Sequence, residues 1–148
     1  MIKTILLSTY LGILSIYDIR HRKIPVCLLQ VGVAMAMVYM VFRIGCVGME
    51  NVDWTDVGIG LLKGSLPGIL MLIIWKMTGE VGCGDGLILL LTGWMLKEEM
   101  PVIFAVSLIF ASVAAIGSMI FLKVNKEYQL PFIPFLFAAV SVTGFGGV

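Results

Sequence analysis

Pro101-Val-Ile-Phe-Ala-Val-Ser-Leu-Ile-Phe-Ala-Ser-Val-Ala-Ala-Ile-Gly-Ser-Met-Ile-Phe-Leu122 carries no ionisable side chain from its first residue to its last. A helix needs roughly 20 apolar residues to cross the hydrocarbon of a bilayer, so this stretch predicts a membrane span and decides the fold class. Its small residues, Ala111, Ser112, Ala114, Ala115, Gly117 and Ser118, suit close packing against another helix.

Working outward, the neighbouring apolar runs follow the same logic. Upstream, Gly86–Leu96 is short for a span, and the expectation is a short membrane helix starting near Asp85, with Lys97 snorkelling to the surface. Val57–Trp75 contains Gly64, Pro67 and Gly68, which membrane helices tolerate, and Lys63, whose amine is expected to snorkel outward. The polar stretch Ile44–Asp56 reads as an exposed loop with Trp54 as an interfacial anchor. Before it, Pro25 suits the first turn of a helix reaching Phe42, and Ile2–Tyr17 is just long enough to cross. Downstream, Lys123–Gln129 is polar and Leu130–Val142 is the last run, opening with Pro131 and Pro134. The pattern predicts an all-α, polytopic integral membrane helical bundle of about six transmembrane helices, with residues 1–148 as one membrane-embedded domain.

Composition agrees. Of 148 residues, 60% are hydrophobic and 13% charged, and the mean hydropathy is +1.09; a soluble domain of this size could not bury so much apolar surface. A net charge of +1 lacks the basic surplus that nucleic-acid binding draws on. Cys27, Cys46 and Cys83 are an odd set without C-x-x-C spacing, which points to neither a disulfide framework nor a zinc site. The only histidine, His21, lies in a cationic run, so nothing near Cys83 would ionise a thiol, and that residue reads as packing. Lys3 followed by an apolar run mimics a signal peptide, but no A-x-A-like cleavage site follows, and the segment reads as a mature helix.

Against this background two acids stand out. Asp85 sits between glycines in Val81-Gly82-Cys83-Gly84-Asp85-Gly86, and Asp18 closes the first apolar run. Carboxylates at a membrane boundary are costly and usually functional, and glycines let another backbone approach Asp85 closely. Counting crossings from Asp18 down the second helix and back up the third puts both acids on one membrane face. Arg20, Arg22, Lys23, Lys76, Lys123 and Lys126 fall on that face, against Lys3, Arg43 and Lys97 on the other. The positive-inside rule then makes it cytoplasmic.

Two carboxylates about 3 Å apart cannot both ionise and share one proton. One then activates water against a peptide carbonyl while the other polarises that carbonyl, a chemistry that needs no metal or cofactor. The same residues also fit simpler roles: Asp18 balances Arg20, Arg22 and Lys23, and Asp85 sits where a helix N-terminus favours negative charge. A small polytopic transporter or scaffold with acids at its edge is the other class, although a transporter is expected to place charge near the midplane with repeated halves.

Asp18-Ile-Arg-His-Arg-Lys-Ile-Pro25, Gly82-Cys-Gly-Asp85 and Pro131-Phe-Ile-Pro-Phe135 resemble, in order, the three motifs of the type IV prepilin peptidase family. The resemblance implies a GxGD-type membrane aspartic peptidase with Asp18 and Asp85 as catalytic dyad and Gly82 and Gly84 shaping the Asp85 loop. It further implies cleavage of a short basic leader from prepilin-like membrane proteins (Flp-type pilins, pseudopilins or archaeal flagellin-like subunits) at the cytoplasmic face of the inner membrane. Val26, Leu87 and Ile133 stand where family members commonly have Asn, Lys and Gly. The cysteine-paired cytoplasmic insertion of larger members is missing, so methyltransferase activity is expected to be absent. Arg20, Arg22 and Lys23 would repel a basic leader and read as topology determinants, whereas Glu80 and Glu127 are candidates to attract it. Tyr17-Asp18 with Gly82-x-Gly-Asp85 also resembles presenilin and signal-peptide-peptidase proteins, but their Pro-Ala-Leu segment is absent.

Overall fold

The structure, a computed structural model, describes residues 2–21, 24–47, 53–79, 82–121 and 131–146. Among them there is no strand. The helices are α1 (Ile2–His21), α2 (Val26–Val47), α3 (Trp54–Thr78), α4 (Cys83–Leu96), α5 (Met100–Phe121) and α6 (Ile133–Gly146), with a 3-10 turn, Lys97–Glu99, joining α4 to α5. Val26–Cys46, Trp54–Thr78 and the continuous stretch Cys83–Ile120 are long and apolar enough to cross a membrane; Ile133–Gly144 is apolar but shorter. α1 is not among them, in keeping with Lys3, Thr4, Ser8, Thr9, Ser15 and Asp18 along its length. An all-helical, membrane-associated protein is what these lengths support.

Helix ends differ from the sequence expectation by a turn or so, for identifiable reasons. α1 continues past Tyr17 to His21, where the two rings stack with centroids 4.3 Å apart. Pro25 precedes α2 instead of opening it, and its carbonyl accepts from the N–H groups of Leu28 and Leu29. α3 starts three residues before Val57 because Asp53 caps it, accepting from the N–H groups of Thr55 at 3.0 Å and Asp56 at 3.4 Å. It ends at Gly79, whose φ of 70° is the left-handed conformation that glycine adopts without strain.

The chain's contacts divide into two compact units, Met1–Lys23 with Val102–Val148, and Ile24–Pro101. In the first, α6 lies antiparallel to α1: Thr4 meets Gly144, Gly12 meets Phe137, and Asp18 meets Ile133. Leu7, Leu11 and Leu14 of α1 and Ile133, Leu136 and Val140 of α6 are fully buried. Because lipid is as apolar as leucine, packing contacts hold such helices together, not exclusion from water.

In the second unit, α3 and α4 are also antiparallel but touch through backbone. Gly60, Gly64 and Gly68 of α3 face Lys97, Gly93 and Leu90, and Leu72 faces Gly86. A methyl at Gly64 would overlap the Gly93 carbonyl oxygen, one at Gly93 would overlap that of Gly64, and one at Gly68 would stand 2.7 Å from the Leu90 nitrogen. Ser65 Oγ accepts the Trp94 indole N–H at 3.0 Å and donates to Leu61 at 2.7 Å. Lys63 is exposed, as expected, and its amine pairs with Glu98 at 3.0 Å.

Two expectations need correction. The close helix packing predicted for α5 occurs on α3 and α4: Gly117 has nothing within 4 Å of a methyl placed there, and Ser112 and Ser118 bond back to their own helix. Lys97 does not snorkel. It is buried with φ 50°, its stem laid over Gly60, because glycine there leaves room for the chain to turn out of α4.

Candidate functional site

Asp18 belongs to the inward face of α1. Thr4, Leu7, Leu11, Leu14 and Asp18 recur every three or four residues, the spacing of one helix face, and all five are buried. Asp18 is 6% exposed, whereas Ile19, Arg20 and His21 beyond it are exposed. The helix therefore turns its acid inward and its cations outward.

What meets Asp18 is the start of α6. The Phe132 carbonyl accepts from the N–H groups of Phe135 at 3.0 Å and Leu136 at 3.3 Å. Pro134 has no N–H, which is tolerable in a first turn. Of the first donors of α6 this leaves that of Ile133, and it donates to the Asp18 carboxylate. Asp18 Oδ2 is buried with no hydrogen-bond partner among the described residues. Desolvating a lone carboxylate costs several kcal/mol, and one charge-assisted N–H offsets only about 1.5–3 kcal/mol of that.

Asp85 lies in a different setting. It is in the first turn of α4, inside the helix and not in the loop before it, and its N–H donates to the carbonyl of Gly82 at 3.1 Å. Gly82 is the N-cap residue and supplies no side chain to cap with. The carboxylate turns back over it: a methyl on Gly82 would stand 3.1 Å from Asp85 Oδ2. An anion there is favoured by the unpaired N–H groups of the helix start. Asp85 is half-buried.

The glycines around Asp85 divide the work. Gly82 makes room for the carboxylate itself. Gly84 abuts Ile24, whose Cδ1 would lie 2.6 Å from an added methyl, and Gly86 abuts Leu72 of α3 at 2.8 Å. Gly84 therefore sets the Asp85 turn against the Ile24-Pro25 segment, and Gly86 sets it against α3.

Of the remaining site candidates, Pro131 and Pro134 flank the α6 start described above, and Glu80 and Glu127 lie outside the described residues. Cys83 is half-buried with a free thiol. Among the described residues no three His, Cys, Asp or Glu side chains gather as a metal site. The parts that Ile24 and Ile133 play at the acids escaped the sequence reading. Each lies inside one of the quoted motifs, but its part is played by packing or backbone, which no side-chain pattern signals. No protein-family model, curated protein or solved structure matches the chain.

Proposed function

We propose that this chain is a compact membrane aspartic endopeptidase that removes the short basic leader from prepilin-like precursors at the cytoplasmic membrane face. Asp18 and Asp85 form the dyad; water is the nucleophile. One observation carries the reading. Each acid is held by a residue from another of the three segments that carry the resemblance: Asp18 by Ile133 of Pro131–Phe135, and the Asp85 turn, through Gly84, by Ile24 of Asp18–Pro25. Segments this far apart in sequence that resemble the motifs in order also meet in pairs, which supports reading the likeness as more than accident.

Further support comes from Asp18 Oδ2, a buried oxygen without a partner among the described residues, as are Ser8 Oγ and Thr92 Oγ1; in a carboxylate such an atom is accounted for by a catalytic role. In this reading the chain crosses the membrane about six times, α1 and the α4 and α5 stretches serving as separate spans tuned by local thinning. Both acids then face the cytoplasm, where a substrate helix anchored in the bilayer presents its leader junction. Glu80 and Glu127 attract the leader, and the lack of a cysteine-paired insertion leaves the enzyme a peptidase without methyltransferase activity.

The test is cleavage of a panel of leader-bearing prepilins co-expressed in membranes, comparing the wild-type chain with Asp18→Asn and Asp85→Asn at matched levels. A shortened precursor with wild type and none with either variant supports the dyad. Normal cutting by either variant would remove it.

A further inference from the structure

The two acids of the proposed dyad have unlike surroundings, and the difference assigns the shared proton. Asp18 is nine-tenths buried, receives the backbone N–H of Ile133, and has an Oδ2 with no partner among the described residues. Among the described residues of its own unit, neither α5 nor α6 contains an ionisable side chain, Lys3 lies at the far end of α1, and Arg20 and His21 beyond Asp18 are exposed. A carboxyl so placed is held more cheaply neutral than ionised. Asp85 is half-buried in the first turn of α4, folded back over Gly82, where the helix start favours an anion.

We infer that in the resting enzyme Asp18 carries the dyad's proton, on Oδ2, and that Asp85 is the ionised base. This deepens the peptidase reading and rests on it for the catalytic roles. In the first step Asp85 takes a proton from water as the water oxygen bonds to the peptide carbon. The carbonyl π pair moves to its oxygen, which takes the Asp18 proton, giving a neutral gem-diol. In the second step Asp85 returns its proton to the amide nitrogen, the C–N bond breaks, and Asp18 takes a hydroxyl proton from the gem-diol as the new carboxylic acid forms. Each acid ends as it began, and no co-reactant is consumed. The Ile133 N–H acts as a positioning group, holding the Asp18 carboxyl at the start of α6.

Infrared spectroscopy of the full chain in lipid nanodiscs at neutral pH, without substrate and with aspartate carrying carbon-13 at its carboxyl, reads the proton directly. The wild type is expected to show an isotope-shifted neutral-carboxyl band that Asp18→Asn loses and Asp85→Asn keeps. A wild type without such a band, or a band that survives Asp18→Asn and is lost in Asp85→Asn, overturns the assignment. Should Asp18→Asn fail to fold by circular dichroism, Asp85→Asn decides alone: band kept upholds the assignment, band lost overturns it. Leader cleavage measured on the same preparations separates the two ideas, since a chain that never cuts yet shows the expected band loses its peptidase reading and keeps the proton placement.

Discussion

The α1–α6 pair and the α3–α4 pair are both antiparallel, yet they are held in opposite ways. α1 and α6 interleave leucine, isoleucine and valine side chains, while α3 and α4 press backbone to backbone along glycines. The first contact can adjust, because side chains have alternative rotamers. The second cannot, because a carbonyl oxygen is on the other side. Each pair carries one of the two acids at an end, Asp18 opposite the start of α6 and Asp85 at the start of α4. The comparison therefore predicts a tolerant setting for one acid and an intolerant one for the other.

The largest expected effect concerns the acids themselves. If both belong to one reaction, Asp18→Asn and Asp85→Asn should each lower leader cleavage at least about 100-fold, the lower end of what a positioned acid or base contributes. The double variant should be no worse than either single one, as residues acting as a unit are not additive. Initial rates of precursor shortening in membranes measure this. A variant that retained most of the rate would leave its acid as a helix cap only.

Next comes the glycine face. Gly93→Ala forces a methyl into the Gly64 carbonyl oxygen, and since neither backbone can yield without separating the helices, it should cost about 1–3 kcal/mol. It should also lower activity through displacement of the Asp85 turn. Thermal unfolding in detergent, followed by helix signal, reads the first, and cleavage rate the second. Unchanged stability would mean that α3 and α4 do not touch as described.

That face was legible in the sequence only in part. Gly60, Gly64 and Gly68 recur every four residues and could have been read as a packing stripe. Their partner, Gly93, lies seven residues beyond Gly86 in α4, a single two-turn spacing with large residues between, which is a weaker signal than a stripe. The small residues of α5 gave the opposite lesson, since composition alone cannot say whether a small residue faces a helix or open space. The all-helical class was legible because long apolar runs leave few alternatives, and the acids were legible because ionisable groups are rare in such a chain. Helix ends were misplaced where a capping interaction decided them, as at Asp53. The partners of the acids were hidden because Ile133 contributes a backbone N–H and Ile24 only its bulk.

The tolerant pair supplies the third prediction. Gly144→Ala also creates an overlap, but with Thr4 Cγ2, a side-chain methyl. It should therefore cost only about 1 kcal/mol, the low end for overpacking. Thr4→Ser removes that methyl, so the double variant should recover most of the loss. No single substitution at Gly64 can rescue Gly93→Ala, because the atoms in the way are backbone. Equal losses at Gly93 and Gly144, or failure of Thr4→Ser to rescue, would erase the distinction between the two pairs in unfolding experiments.

The smallest effect sharpens the comparison from outside both contacts. Gly117 lies inside α5, with open space around a methyl placed there, so Gly117→Ala meets no overlap and removes only the conformational freedom that glycine brings to a helix. That freedom costs about 0.5–1 kcal/mol relative to alanine in a helix interior, and the variant should be more stable by that amount with leader cleavage unchanged. The sign is the informative part. Three Gly→Ala changes in three helices are then ordered as a strong loss at Gly93, a modest and rescuable loss at Gly144 and a small gain at Gly117, an order that follows from what each methyl meets and not from helix propensity, which is the same for all three. A clear loss at Gly117 would show that α5 has a helix against it in the membrane, and would return to its small residues the packing role their composition suggests.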